Sequence, residues 1–341
     1  MGSRRRIMDW DKGFSASYYA TIVDPDTWQD QKRIEITGGS INRTLTDLRE
    51  SADIDCVNFE EGYENWIRIY LDARQAGEAA HLPLFTGLAS SPERNIDGMH
   101  TQNRLQCYSV LKPASDILLP KGYYAARGFE AGRVIAKLLK VCKAPIQVNS
   151  EPRRLSDYII AEQGETNLTM VNKILDATGC RLRITGNGTI EICDEATEPV
   201  ATFSALKNDS IETKITVLYD MFDCPNVVRV ISGNDSEVIR DDDPDSPLST
   251  VSRRREVWKE DSSVTLYDGE TLKAYAKRRL REMQRVAMAA QYDRRYHPNV
   301  LPTDIIRLNY PAQKLVGDFC VKSQKITLGH GARTSEEVMQ V

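Results

Sequence analysis

Histidine and paired cysteines, which mark most metal sites, are scarce in this sequence of 341 residues. The four histidines stand apart and form no HExxH pattern, so no metal-binding motif is predicted. They are His81, His100, His297 and His330. The seven cysteines include no CxxC pair and their number is odd, which argues against a zinc site or a disulfide framework. We expect reduced cysteines, several of them in apolar cores.

Long apolar runs and a strong net charge are also missing. No run approaches the ~18 residues of a membrane-spanning helix, and no secretory signal is expected from the basic but not apolar start. A net charge of −4 disfavours a protein whose whole surface binds nucleic acid. The total conceals two opposed segments: residues 271–310 carry nine basic and three acidic residues, and residues 235–250 carry six acidic and one basic.

Sequence motifs for catalysis are not found. There is no GxSxG, no SxxK in a usable context and no P-loop, and Gly186-x-Gly188 lacks the third glycine of a dinucleotide-binding turn. The adjacent Glu60 and Glu61 would point to opposite faces of a strand, unlike a glycosidase pair. The acidic residues 241–247 lack the spacing of an EF-hand loop. We predict no catalytic residue, cofactor or metal ion, although carboxylates from distant segments could still converge.

Residues 17–110 alternate between polar and apolar side chains in short runs separated by turn residues. This pattern predicts an antiparallel barrel or sandwich, the first β-domain, over residues 1–113. Residues 46–55 are ambiguous and could form a short helix instead.

A small α/β domain is predicted over residues 114–200. Apolar residues at helical spacing predict a first helix over 129–142. A second helix is expected between Thr166 as N-cap and Gly179 as C-terminal cap. The alternation of residues 182–192 around Gly186-Asn187-Gly188 predicts a hairpin that packs on the helices.

A second β-domain is predicted over residues 201–341, with a long helix over 269–291 and Asp268 as its candidate N-cap. Residues 332–341 show no caps and are expected to form a loose tail or an arm ordered by a partner. The fold class is therefore α+β, mainly β. Basic and aromatic residues interleave at 253–259 and 292–296, as they do at many protein interfaces.

One face of the predicted long helix is basic and is the charged feature with most functional promise. It carries Lys277, Arg278, Arg281 and Arg285. These residues could contact a phosphate backbone or an acidic partner. The alternative is a solvated helix face whose long side chains cover apolar surface.

The order of these elements resembles the baseplate or tail hub proteins of tailed bacteriophages and phage-derived contractile particles. The resemblance spans most of the chain and rests on short segments. They are Lys121-Gly122, residues 166–168 with 179–182, residues 188–192, residues 225–230, the helix over 271–290, and Leu301-Pro302-Thr303-Asp304-Ile305-Ile306. The last is similar to the family's P-G-D strand entry, with Thr303 in place of the glycine. Residues 114–200 resemble the family's LysM-like domain.

The resemblance implies a structural protein without a cofactor. It implies a homotrimeric ring with two β-barrel-like domains per subunit, joining a six-fold tail tube and distal tail protein to a three-fold central spike. The tape-measure protein and then DNA would pass through its bore, where the basic helix could lie. The location implied is the virion tail, assembled in the bacterial cytoplasm. A cell-wall-degrading tail enzyme and a peptidoglycan-binding module are the alternatives.

Overall fold

The structure is a computed structural model that describes residues 8–46, 48–57, 59, 64–97, 100–206, 210–219, 221–222, 224–262, 264, 266–267, 269–285 and 288–341. Within these residues the fold is mainly β, with a large and predominantly antiparallel sheet, as predicted.

The N-terminal part consists of six antiparallel strands, as its alternating pattern predicts. They are β1 (Ser15–Val23), β2 (Asp30–Thr44), β3 (Glu50–Val57), β4 (Asn65–Gln75), β5 (Glu78–Asp97) and β6 (His100–Ser109). Pairing runs in the order β1, β4, β5, β6, β3, β2 and then returns from β2 to β1. Apolar side chains such as Ile54, Ile69 and Phe85 form its buried core. Residues 50–57 are a strand and not a helix because β2 and β6 flank them.

The following segment, the insert, has the predicted α/β organisation. Its elements are α1 (Lys112–Asp116), β7 (Tyr124–Ala125), α2 (Ala131–Leu139), β8 (Ile146–Val148), β9 (Ile159–Ile160), α3 (Asn167–Thr178), β10 (Cys180–Ile184) and β11 (Ile190–Asp194). The hydroxyl of Thr166 accepts a hydrogen bond from the Thr169 amide, and Gly179 ends α3 at a φ of 66°. Both predicted caps of α3 are therefore confirmed. β10 and β11 pair as the predicted hairpin and share one core with α2 and α3.

The C-terminal part returns to strands, with two further helices. Its elements are β12 (Pro199–Ser204), β13 (Ile211–Tyr219), β14 (Val227–Ser232), β15 (Asp235–Arg240), α4 (Thr250–Arg253), β16 (Trp258–Asp261), α5 (Leu272–Gln284), β17 (Met288–Arg294), β18 (Ile305–Tyr310), β19 (Leu315–Thr327) and β20 (Thr334–Gln340). β14, β15 and β16 form a separate three-stranded sheet.

The prediction of one long helix over 269–291 is wrong in its extent. The helix has 13 residues and is capped by Thr271, whose hydroxyl accepts a hydrogen bond from the Ala274 amide. The predicted cap, Asp268, lies outside the described residues. The chain resumes as β17 because Ala290 and Tyr292 alternate toward the core while β13 and β20 supply backbone partners on both sides.

The expectation of a loose C-terminal tail is also wrong. β20 lies between β17 and β19 and is hydrogen-bonded to both. Its inward side chains, Thr334, Glu336 and Val338, are all buried. The last residues are thus an interior strand of the sheet.

β2 and β19 join the N-terminal and C-terminal strands into one 12-stranded sheet. Both strands are long, and each divides one edge between two partners. The edge of β2 pairs with β1 and then with β19, while the edge of β19 pairs with β18 and then with β2. The apolar cores on either side of this seam remain separate.

Candidate functional site

The helix with the predicted basic face packs its apolar side on the small sheet. Tyr275, Ala276 and Leu280 of α5 are buried against Val228 and Val230 of β14. The predicted apolar stripe is therefore confirmed over the shorter helix. This packing fixes the orientation of the basic residues on the remaining faces of α5.

The four predicted basic residues divide into two pairs. Arg278 forms ion pairs with Glu270 at 3.0 Å and with Glu282 at 3.2 Å, and Arg285 contacts Glu195 at 2.6 Å. Lys277 and Arg281 are exposed and form no ion pair with any residue that the structure describes. Among these four residues, Lys277 and Arg281 are thus the two that are exposed and lack an ion pair within the described part of the chain.

Arg278 belongs to a stack that joins α5 to the insert. Its guanidinium lies 3.8 Å from the centre of the Tyr267 ring. Burial opposes the charge of Arg278, but the Glu270 carboxylate and neighbouring groups outweigh it and raise its pKa above the ordinary value. Tyr267 in turn lies against Gly179, where a Cβ would come within 2.4 Å of the phenolic oxygen. Gly179 thus serves both the helix cap and this contact.

A cleft of about 930 Å³ lies between the insert and α5. Tyr158 and Ile160 line it from the insert and are 57% and 65% exposed. Tyr124 pairs with Ile160 across β7 and β9, and its ring lies 5.9 Å from that of Tyr158. The insert therefore presents an apolar ridge, formed by Tyr124, Tyr158 and Ile160, at the mouth of the cleft.

The Gly186-Asn187-Gly188 turn has a structural role that sequence reasoning missed. It packs on the N-terminal strands, where a Cβ on Gly186 would lie 1.9 Å from the Pro83 carbonyl oxygen. Arg68 and the indole of Trp28 both donate hydrogen bonds to the Asn187 carbonyl, at 3.3 and 3.0 Å. The close approach of the turn backbone to the β5 backbone therefore explains why residue 186 is a glycine.

The structure also brings together a histidine and a carboxylate that are apart in sequence. Asp72 and His81 lie opposite each other in β4 and β5, with 2.6 Å between Oδ1 and Nδ1. The other ring nitrogen lies 3.2 Å from the Tyr19 hydroxyl. Burial and the nearby Asp72 carboxylate raise the pKa of Tyr19, which favours the neutral form of its hydroxyl. Gln75 pairs with Glu78 across the turn that joins β4 and β5, so counting residues outward from this turn would have revealed the pair.

The two basic and aromatic segments have different environments. In the first, Trp258 is 44% exposed and lies between Arg229 and Arg240, with guanidinium-to-ring distances of 5.4 and 5.3 Å. In the second, Tyr292, Arg294 and Tyr296 are all buried. These three residues therefore belong to the core, and the interface interpretation fails for them, whereas Arg295 of the same segment is exposed.

Thr303 adopts a backbone conformation that favours glycine. Its φ is 80°, a region that β-branched residues rarely occupy. This conformation explains the glycine of the P-G-D strand entry that residues 301–306 resemble. The turn that leads into β18 requires a positive φ at this position. The next residue, Asp304, is buried, accepts a hydrogen bond from the Leu301 amide at 2.9 Å and contacts Arg183 at 2.9 Å.

The described residues contain no group of three or more metal-ligating side chains. The carboxylates of the acidic loop are engaged locally, since Asp241 accepts from Ser246 and Asp242 from Thr250. Glu60 and Glu61 lie outside the described residues. No helix in the described part of the chain has the length and apolar composition needed to cross a bilayer.

No protein-family model matches the sequence, and no curated protein matches it. Solved structures match along almost the whole chain. A tail protein from Neisseria meningitidis gives a TM-score of 0.69 at 16% identity, over 96% of this chain and 97% of its own. A 43 kDa tail protein of prophage MuSo2 from Shewanella oneidensis gives a TM-score of 0.69 at 13% identity, over 96% and 98%.

A third match is the c3393 protein of E. coli, a component of the type VI secretion system described as similar to the T4 bacteriophage tail proteins gp27 and gp5. Its TM-score is 0.52 at 9% identity, over 90% of this chain and 73% of its own. The chain therefore has the fold of phage tail proteins, and the predicted resemblance is confirmed at the level of the fold.

Proposed function

We propose that this protein is the structural hub of a phage or phage-like tail baseplate. The observation that carries the proposal is the likeness to two phage tail proteins over 96% of this chain and nearly all of theirs. By analogy of fold, a likeness over the full length of both chains favours a shared structural role over one borrowed module. Accordingly, we propose that the protein is not an enzyme and needs no cofactor.

The proposed hub is a homotrimeric ring with two β-barrel-like domains in each subunit. The six N-terminal strands pair in a closed circuit, which supports a barrel for residues 1–113. The C-terminal strands would form the second, over 201–341, and residues 114–200 would be the LysM-like domain. A ring forms when each subunit binds the next through complementary surfaces and the rotation between subunits closes. Extended sheets can provide such surfaces, and this role needs no active site.

The proposed neighbours are the tail tube or distal tail protein on one side and the central spike on the other. The tape-measure protein and later DNA would pass through the bore. The description of the E. coli protein as similar to two T4 tail proteins supports a position among the components of a tail. The location would be the virion tail, after assembly in the bacterial cytoplasm.

The exposed part of the basic face, Lys277 and Arg281, is the proposed contact with the bore or with an acidic neighbour. Arg278 and Arg285 are excluded from this role because their charges are matched within the chain. Replacing Lys277 and Arg281 by glutamate should weaken such a contact, while a matched change at exposed Lys137 and Lys140 should not.

Light scattering coupled to size-exclusion chromatography tests the trimer. We expect three times the 38.5 kDa chain mass at micromolar concentration, and ring-shaped particles by electron microscopy. A protein that stays monomeric alone and also after mixing with its tube and spike partners would contradict the proposal.

The exposed apolar ridge favours one second candidate, a peptidoglycan-binding module. Exposed tyrosines of this kind provide flat apolar surface with a polar tip. Sedimentation with purified cell wall tests it, with the Tyr124→Ser and Tyr158→Ser double variant as the control. Equal sedimentation of variant and wild type would eliminate this candidate.

A further inference from the structure

The C-terminal strands of the large sheet stop short of a closed circuit. In the N-terminal part, the pairing of β1 with β2 closes the circuit. The C-terminal path runs β12, β18, β19, β20, β17 and β13, and in the described part of the chain its two end strands do not pair with each other. Among the described strands, β13 is hydrogen-bonded to β17 alone. The other edge of β13, a strand of nine residues, is therefore open there.

The apolar side chains of β13 are incompletely covered. Ile215 and Val217 pack against the C-terminal core but are only half-buried, whereas Ile54 and Ile69 of the closed N-terminal circuit are fully buried. Tyr219, at the end of β13, is 57% exposed. An open edge with exposed apolar side chains is a common site of association, because pairing satisfies its backbone groups and covers its side chains.

The small sheet presents a second open edge. Among the described strands, β15 is hydrogen-bonded to β14 alone, while α5 covers one face of this sheet. Val238 of β15 is 39% exposed. The two open edges carry opposite charges, since Lys214 lies on β13 and Asp235 and Glu237 lie on β15. None of these three side chains forms an ion pair with a residue that the structure describes.

Other charges on the end strands of the sheets are matched within the chain. On β13 and β15 themselves, Glu212 pairs with Arg333 and Arg240 pairs with Glu256. The acidic residues of β16 are likewise paired, and the remaining end strands of the described sheets carry no acidic residue. β15 is therefore the open edge whose unmatched charge complements that of β13.

We propose that the open edge of β13 binds a second copy of this chain through the open edge of its β15. The inference rests on the proposed ring and names a contact between its subunits. A cyclic ring needs two different, complementary surfaces on each subunit, and two unlike edges in separate sheets meet this condition. Strand pairing would place Lys214 beside Asp235 and Glu237 and cover Val217 and Val238.

Charge reversal tests this pairing, with the trimer measured by analytical ultracentrifugation. Lys214→Glu alone, and Asp235→Lys with Glu237→Lys, should each raise the dissociation constant of the trimer about tenfold. Combining all three substitutions should restore association, while the exposed control Lys137→Glu should leave it unchanged. Association that neither set weakens, or that the combination does not restore, would overturn the pairing. Absence of a trimer in the wild type would instead count against the hub itself.

Hydrogen exchange on the unaltered protein gives a second test that depends on no variant folding. The amides of residues 212–219 and 235–240 should exchange about tenfold more slowly in the trimer than in the monomer obtained by dilution. The interior strand β20 is the control and should exchange equally in both forms. A trimer in which both edge strands exchange as in the monomer would refute the pairing while leaving the ring intact.

Discussion

Two buried arginine–glutamate pairs, one in the N-terminal strands and one in the C-terminal strands, differ in how completely their polar atoms are bonded. Between Arg43 and Glu50 the nearest ion-pair distance is 3.8 Å, and Oε1 of Glu50 has no hydrogen-bond partner among the described residues. Between Arg294 and Glu336 there are two bonds, at 2.8 and 2.6 Å. Tyr292 and Gln324 each add a bond of 2.7 Å to Glu336.

The ionisation of the two glutamates follows this difference. Both are buried, and burial alone raises the pKa of a carboxyl. For Glu50 burial dominates and the pKa rises to about 8. For Glu336 the effect of burial is outweighed by Arg294 and the hydrogen bonds, so the pKa falls below 4.5. Hydrogen bonding, more than depth, therefore decides whether the pKa of a buried glutamate rises or falls.

The largest effect is expected from Glu336→Gln, which breaks the bonded pair. Removal of one partner leaves the Arg294 charge buried and unpaired, at a cost of about 3–5 kcal/mol. Urea denaturation at pH 7 measures the loss. The neighbouring control, Glu337→Gln, should cost less than about 1 kcal/mol because Glu337 meets Lys322 at the surface. A similar small loss in both variants would contradict the comparison.

Gly186→Ala should give the next largest loss of stability. It disturbs the hairpin turn that packs on the N-terminal strands beside Arg43 and Glu50. A methyl group 1.9 Å from the Pro83 carbonyl oxygen must push the hairpin away from β5, whose Leu84 carbonyl bonds Arg43. We expect a loss of about 1–3 kcal/mol, comparable to other overpacked core contacts. Gly13→Ala, where no atom lies within 4 Å, is the control. Unfolding midpoints that agree for both variants would argue against tight docking of the turn.

The pH dependence of stability tests the Glu50 assignment. The unfolded chain releases this proton near pH 4.5, whereas the folded protein retains it up to about pH 8. The folded state therefore binds more protons in this window, and Glu50 makes stability fall as pH rises through it, by at most about 1.4 kcal/mol per pH unit. Denaturation of Glu50→Gln between pH 5 and 9 should lack this contribution, while exposed Glu35→Gln should retain it. Parallel profiles for Glu50→Gln and wild type would refute the assignment.

Thr303→Gly should give the smallest effect and the opposite sign. Glycine relieves the positive φ of Thr303, worth about 1–2 kcal/mol, against an entropic cost of about 0.5–1 kcal/mol. We expect a net gain of about 1 kcal/mol or less, measured as a higher melting temperature. A lower one would mean that the threonine side chain contributes more than its backbone strain costs.

Sequence patterns were most informative where the structure is local. The caps of α3 at Thr166 and Gly179 and the hairpin around Asn187 depend on residues close in the chain, and each was predicted correctly. The basic residues of α5 were also identified. Their division into paired Arg278 and Arg285 and exposed Lys277 and Arg281 was not, because Glu195 and the Tyr267 stack come from other segments.

The sequence by itself determined the mainly β composition, the α/β insert and the likeness to phage tail proteins, since these follow from periodicity, caps and element order. Only the tertiary structure decided that residues 288–294 and 334–340 are strands and that the pKa values of Glu50 and Glu336 shift in opposite directions. Strand partners and buried hydrogen-bond partners come from distant parts of the chain, and local periodicity carries no information about them.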